Sequence, residues 1–310
     1  MTDEKIISLD SERQQEITNN LYSPIKISFT GNMADKHLID GEQFGLAING
    51  ASKIFNNVSH FCFTGIVPAP QTKRRIRIYA NPPERGSVTY TLWAMMAFGE
   101  MSVYPPLWGE LADFFIPEFV KAIYMKMTNN NSGMENIVGA LLEDRQRERQ
   151  HTENIVGMAF TNVLQDRNQT LETIEKLADG LRTAAINSVE PIGNSCKQAN
   201  YLSKNNSSLL VVDEPMAEVM RSKEKLEIEA MKQYNCLVKG INIETGSAFL
   251  LVEGSEILLH ATINGPVLNE AGNIYTTALN SHAELVISAK ATSKNGKINK
   301  LFVSDATFKS

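Results

Sequence analysis

Cysteine is scarce in this chain: three among 310 residues, Cys62, Cys196 and Cys236, an odd count at scattered spacing. That pattern excludes a disulfide framework and a zinc ribbon, and it suits a reducing compartment. A basic excess is missing too. Lys and Arg number 30 against 35 Asp and Glu, a net charge of -5, whereas proteins that grip phosphate non-specifically carry a clear positive surplus. No long apolar run is present. The nearest approach, between Leu92 and Met127, is broken by Glu100, Glu110, Asp113, Glu118 and Lys121 and by Pro105-Pro106. A span needs about 20 mostly apolar residues, and one acid at mid-bilayer costs about 3 kcal/mol. Met1 to Asn20 is polar and has no apolar centre of the kind a signal peptide needs. Gly-rich phosphate loops, a Gly-x-Ser-x-Gly turn, repeats and low-complexity stretches are also missing. These absences predict a cytoplasmic protein with no membrane span, no cofactor and no metal.

What is there is globular. With 43% hydrophobic and 21% charged residues, the chain is long enough for two domains and too apolar for disorder. After a loose tail over 1–22, Ile25 to Thr30 alternates apolar and polar residues, the period of a half-buried strand, and Gly31-Asn32 ends it. Asp40 is a good N-cap for a helix in which Phe44, Ala47, Ile48, Ala51, Ile54 and Phe55 recur at helical spacing. Arg75 to Tyr79 and Ser87 to Leu92 read as two strands around the turn Asn81-Pro82-Pro83-Glu84-Arg85-Gly86. From Pro106 to Ile186 the reading is helical, with a break at Asn129 to Gly133. Within it, Phe160, Leu164, Arg167, Leu171, Ile174, Ala178, Leu181 and Ala185 alternate steps of four and three, a heptad register with one polar intruder.

A helical and sheet domain over 23–205 is thus expected, then a linker with a short helix over 206–224 beginning at Asp213-Glu214-Pro215. From 225 to 310 the period changes to that of strands. Cys236 to Ile241, Ala248 to Val252, Ile257 to Ala261, Glu284 to Ala289 and Ile298 to Val303 read as five short strands, with a helix at Ile274 to Leu279 between the third and fourth. Asn295-Gly296 is the strongest hairpin cue, because both residues tolerate positive φ. The expected fold class is α+β: a small N-terminal sheet-and-helix unit, long central helices with a heptad seam, and a C-terminal five-stranded OB-like β-barrel.

Four patches of sequence carry a resemblance. They are Phe29-Thr30-Gly31 with Asp35-Lys36-His37-Leu38-Ile39-Asp40, then Val189 to Cys196, Arg221-Ser222-Lys223-Glu224, and Leu301 to Ala306. On these the chain resembles a group of uncharacterised bacterial proteins of similar length. The resemblance implies an N-terminal α/β-plus-helical domain and a C-terminal β-barrel domain, both of unknown function, and it implies no activity.

Three sets of side chains are candidates for chemistry or contact. Asp35, His37 and Asp40 lie in a loop, where two carboxylates and an imidazole can hold a divalent ion or pair as base and orienter. Against that, Asp40 is wanted as a helix cap, and the spacing supplies no further ligand. Lys73, Arg74, Arg75 and Arg77 load one strand with positive charge suited to a polyanion. The seam Phe160, Leu164, Leu171, Ile174, Ala178, Leu181 and Ala185 can pair two copies of the chain or pack on the Leu107 to Tyr124 helix. His60-x-Cys62 shares a face only if Ser59 to Gly65 is a strand, and no third residue orients the pair. The barrel stretch holds eight Lys, eight acids and no Arg from 225 to 310, which disfavours nucleic acid there.

The expected function is therefore a non-enzymatic binding and assembly protein: a homo-oligomer through its helices, offering barrel and sheet surfaces to a protein partner. A metal-dependent hydrolase built on Asp35, His37 and Asp40 is the alternative. Nucleic-acid binding through the Lys73 to Arg77 strand and the barrel is the second.

Overall fold

Alternation does what its period requires. In the computed structural model, which describes residues 21–69, 76–80, 88–96, 115–148, 166–203, 206–222, 226–263 and 266–309, the first strand is β1, Leu21–Thr30. Ile25, Ile27 and Phe29 are buried on one face, while Lys26, Ser28 and Thr30 lie on the other. β2 (Ile76–Ala80) and β3 (Val88–Met96) form an antiparallel pair, and β4 (Gln198–Leu202) and β5 (Ser208–Asp213) complete a five-stranded sheet in the order β2-β3-β1-β4-β5. β1 is antiparallel to both neighbours, so Ile27 stands between Tyr90 and Tyr201.

Helix α1, Gly41–Thr64, starts where Asp40 accepts hydrogen bonds from the Glu42 and Gln43 amides and ends at Gly65, φ 69. Its buried stripe of Ala47, Ala51, Ile54, Phe55, Val58, Phe61 and Cys62 recurs at helical spacing and covers the apolar sheet face. The stretch from Ser59 to Thr64 is the last part of this helix, not a strand. Residues two apart on a helix do not face each other, so His60 and Cys62 form no pair.

α2 (Ile116–Met127) has Pro117 at its first turn, and the next helix, α3 (Asn131–Glu148), follows after a short turn. α4 (Arg167–Ser188) begins at Asp166, whose backbone is extended (φ -144, ψ 169) and whose carboxylate accepts from the Gln169 amide. An extended residue at 166 means that the expected heptad register does not run through one continuous helix. Phe160 and Leu164 lie outside the described residues. Ile174, Ala178, Leu181 and Ala185 are buried within this chain, on a helix that packs against α1 and α2, so this part of the seam is covered without a second copy.

The packing of α1 on α4 is close enough to demand glycine. A Cβ at Gly50 would stand 2.3 Å from the Ala184 carbonyl oxygen and 2.5 Å from the Ser188 nitrogen, both backbone atoms. Backbone cannot step aside as a flexible side chain can.

The chain divides into two compact units, Met1–Val212 and Asp213–Ser310. β5 is a strand of the sheet, and α5, Glu214–Arg221, belongs to the second unit. There Asp213 caps α5 and pairs with Lys290 at 2.5 Å, and Glu218 meets Lys300 at 3.2 Å. In that unit β6 (Glu227–Ile241), β7 (Ser247–Val252), β8 (Leu259–Ile263), β9 (Glu284–Lys294) and β10 (Lys297–Phe308) close into a barrel in the order β10-β8-β7-β6-β9. α6, Ile274–Ser281, sits between β8 and β9 with Asn273 as its cap. Asn295 (φ 51) and Gly296 (φ 75) make the β9–β10 turn, as that dipeptide requires. Alternate residues fill the interior, among them Val238, Leu250, Ala261, Ile287, Leu301 and Val303.

Replacing Gly50 by Ala is expected to lower stability by about 1–3 kcal/mol through overpacking, read as a fall in the melting temperature of the full chain.

Candidate functional site

The loop of Asp35, His37 and Asp40 is held by the turn before β4. A 3-10 turn over Asn32–Lys36 follows Gly31 (φ 86) and ends at His37, φ 60. The Ala34 amide donates to the Ser195 carbonyl at 3.1 Å, and the Lys197 amide donates to the Thr30 carbonyl at 2.9 Å. Ser195 Oγ accepts from the Asp40 amide at 3.2 Å and donates to Gln43 Oε1 at 2.6 Å. Thus the Thr30 to Asp40 patch and the Val189 to Cys196 patch, far apart in sequence, form one backbone junction.

Within that junction each carboxylate has a local task. Asp35 Oδ1 accepts from the Gly31 amide at 2.7 Å. Asp40 Oδ1 accepts from the Glu42 and Gln43 amides at 3.0 Å each. His37 is exposed and terminates the turn through its own amide. Among the described residues no group of three or more His, Cys, Asp or Glu is placed to hold a metal ion. The three side chains share a loop and do not converge.

The cysteines are all buried. Burial pushes the Cys62 thiol well up, and burial together with the nearby Glu284 pushes Cys236 up to about 12. A thiol so shifted is not a thiolate at neutral pH and is a poor nucleophile. His60 is 4% exposed and its Nδ1 lies 3.2 Å from Thr64 Oγ1, one turn along the same helix.

The polar group that sequence reasoning missed is at the centre of the first unit. Tyr124 on α2 lies 2.6 Å from Ser188 Oγ at the end of α4 and 2.5 Å from the Tyr201 hydroxyl on β4. Tyr90 stands two strands away on the same sheet face, its hydroxyl buried without a partner. Burial is the first cause that raises the tyrosine pKa values, Tyr201 to about 12 and Tyr90 and Tyr124 well above their usual range. The adjoining cavity, lined by Ile25, Ile54, Phe55, Val120, Tyr124 and Tyr201, measures about 10 Å³. That is at most one water and no substrate. Nothing in the sequence distinguishes these tyrosines from ordinary core aromatics; the strand β4 that carries one of them has no strong pattern of its own.

Arg77 lies exposed on β2, while Lys73, Arg74 and Arg75 are outside the described residues. On the barrel, the outside of β6, β7 and β8 carries an apolar stripe. Leu237 pairs with Leu251, Phe249 is 49% exposed opposite Gly240, and Leu258, just before β8, is 53% exposed. The Phe249 ring meets the His260 ring edge-on at 5.6 Å. Burial and the neighbouring Lys300 lower the His260 pKa, keeping this imidazole neutral at physiological pH.

Two family models match the chain: a domain of unknown function (DUF7946) over residues 25–221 and a family of unknown function (DUF7947) over residues 230–307. The chain belongs to the DUF7946 family. Its DUF7946 region holds the whole five-stranded sheet from Ile25 onward and runs through α5, and its DUF7947 region is the barrel. No curated protein matches the chain. A structure of the ferredoxin protease FusC in complex with Arabidopsis ferredoxin aligns over 78% of this chain and 29% of that one, at 10% identity and a TM-score of 0.21. The chain spans under a third of that protein, and a likeness this slight carries no argument.

Two outcomes follow from these assignments. Asp40→Ala is expected to cost about 1 kcal/mol and Asp40→Ser much less, because serine also caps, whereas loss of a metal ligand would hit both alike; thermal melts separate the cases. Unfolded tyrosine ionises near 10.0 while folded Tyr201 holds its proton to about 12. The first unit therefore keeps this contribution below pH 10 and loses it as pH rises toward 12, as tyrosine absorbance and circular dichroism recorded together will report.

Proposed function

We propose that this chain is a non-enzymatic binding and assembly protein, and that its barrel is OB-like and docks a protein partner on the outer face of β6, β7 and β8. The fold reading rests on strand order. In the barrel the first three strands run antiparallel, a helix separates the third from the fourth, and the third and fifth strands, β8 and β10, pair in parallel.

One observation carries the docking reading: a contiguous apolar stripe of Leu237, Leu251, Phe249 and Leu258 on the outside of a barrel whose interior is already filled. Exposing such a stripe to water is unfavourable by about 25 cal/mol per Å², and contiguous apolar patches of this kind mark contact sites. A closed barrel has no free strand edge, so a partner must dock on side chains and cannot add a strand. The barrel stretch balances eight Lys against eight acids, so contact there depends on shape and apolar area more than on charge. The buried thiols and the separately engaged Asp35 and Asp40 favour binding over catalysis.

A photoreactive residue in place of Phe249, in the full chain, tests the reading in native extract. We expect a crosslink to one defined polypeptide, lost when Leu251 and Leu258 are changed to Glu while circular dichroism stays native. Crosslinks that persist in that double variant, or none at all, overturn it.

A further inference from the structure

One ionisable ring borders the apolar stripe of the barrel. On β8, alternation buries Leu259, Ala261 and Ile263 in the interior and turns His260 and Thr262 outward. His260 is the direct cross-strand partner of Phe249 on β7 and, on its other side, of Lys300 on β10. The imidazole is half-buried on this outer face. Its ring meets the Phe249 ring with centroids 5.6 Å apart, and its Nε2 lies 3.0 Å from Ser247 Oγ. The other histidine of this unit, His282, ends α6.

Three features set the cost of a proton on His260. First, the side chains that β7 presents to the ring are Phe249 and Ser247, neither of them charged, so covering the stripe takes water from the imidazole and brings no acid from that strand. Second, the cation on its other side is held in place. Lys300 Nζ lies 3.2 Å from Glu218 Oε2 on α5 and 4.9 Å from the centre of the Phe302 ring. Third, the acid that acts on the ring is already engaged: Glu218 Oε1 accepts from Asn299 Nδ2 at 3.1 Å and from Thr292 Oγ1 at 3.3 Å. Among the described residues, Lys300 and Glu218 are the charged groups that act on His260. Burial and Lys300 hold the imidazole pKa below its ordinary value, against the opposing pull of Glu218.

We infer that docking on the stripe is proton-linked: His260 is neutral when the protein partner is seated, and a proton taken up by this ring releases the partner. The inference rests on the docking reading and adds its regulation. A partner that covers Phe249 removes further water from His260, so the ring binds its proton less tightly in the complex than in the free chain. Affinity is therefore full above the free chain's pKa, falls as pH drops through it, and levels off below the pKa of the complex. The fall is about tenfold for each unit between the two.

The test uses the full chain with a photoreactive residue in place of Leu258, which leaves the Phe249–His260 pair intact. Crosslinking in native extract at about pH 7.5 and about pH 5 brackets the window in which imidazole changes charge. The defined crosslink is expected to fall by about tenfold or more at the lower pH. It should persist at both in His260→Gln, which stays polar beside Ser247 and takes no proton, and be weak at both in His260→Lys, which is charged throughout. In the purified wild-type chain, the His260 ring resonance should titrate below the ordinary imidazole range. The wild-type comparison and this titration need no variant at His260, so the result does not depend on a substitution there that folds. A crosslink of equal yield at both pH values, a stronger one in acid, an equal loss in His260→Gln, full yield in His260→Lys, or a resonance that titrates above the ordinary range overturns the inference and leaves the docking reading standing. No crosslink at either pH overturns the docking reading, and the inference with it.

Discussion

The first unit depends on one buried phenol. Tyr124 ties α2 to the last turn of α4 through Ser188 and to β4 through Tyr201, joining residues 64 and 77 positions apart. A hydroxyl this deep costs about 1–3 kcal/mol if left unpaired, so meeting Ser188 and Tyr201 stabilises Tyr124 where it stands. That condition fixes where α4 ends relative to the sheet, and the end of α4 is where Gly50 admits its backbone. Helix, sheet and glycine contact are thus one constraint seen from three sides. The junction of Ser195 with Ala34, Asp40 and Gln43 lies just beyond it, between the end of α4 and the start of β4.

How much of this could be read from sequence depended on whether a local pattern existed to read. Asp40 announced α1, and Asn295-Gly296 announced the last hairpin, because capping and positive φ are properties of single residues. β1 and the barrel strands showed in their alternation. Gln198–Leu202 did not show, since its partner β1 lies some 170 residues earlier and supplies the pairing that the segment's own composition does not suggest. Ser59 to Thr64 was misleading for the opposite reason: Phe61, Cys62 and Phe63 are good strand residues, and only the helix already propagating from Asp40 decides their state. The heptad spacing from Leu171 to Ala185 is real, but an a/d stripe says that a helix face is covered and not by what; here α1 and α2 supply the cover. The candidate loop fared likewise. Asp35-x-His37-x-x-Asp40 places three ligand types close in sequence, but a turn that needs its carboxylates for backbone amides sends them to separate tasks.

The barrel obeys a different constraint. Its strands have no edge to offer, so its only variable surface is the outward half of each alternation and the loops. Inside, small and branched residues such as Ala261, Ala289, Leu250 and Val303 are buried in one apolar cluster. Outside, most positions are polar or paired, as Lys300 and Lys290 are with Glu218 and Asp213. Met231, Ile243, Ile257 and Phe308 are exposed there too, so what sets the stripe apart is its continuity across paired strands.

Net charge and local charge give different answers in this chain, and the difference is physical. Beyond about 10 Å at 0.1 M salt, exposed charges scarcely feel one another, so a total of -5 spread over 310 residues says little about any one sheet face. What a ligand meets is the set of groups within that distance. The outward positions of β1 to β4 hold Arg77 and Lys26 beside hydroxyls, amides and rings. Strand alternation makes the selection: a period of two sends Ile25, Ile27 and Phe29 inward and leaves their neighbours no choice but the opposite face. A whole-chain count averages all such faces and describes none of them.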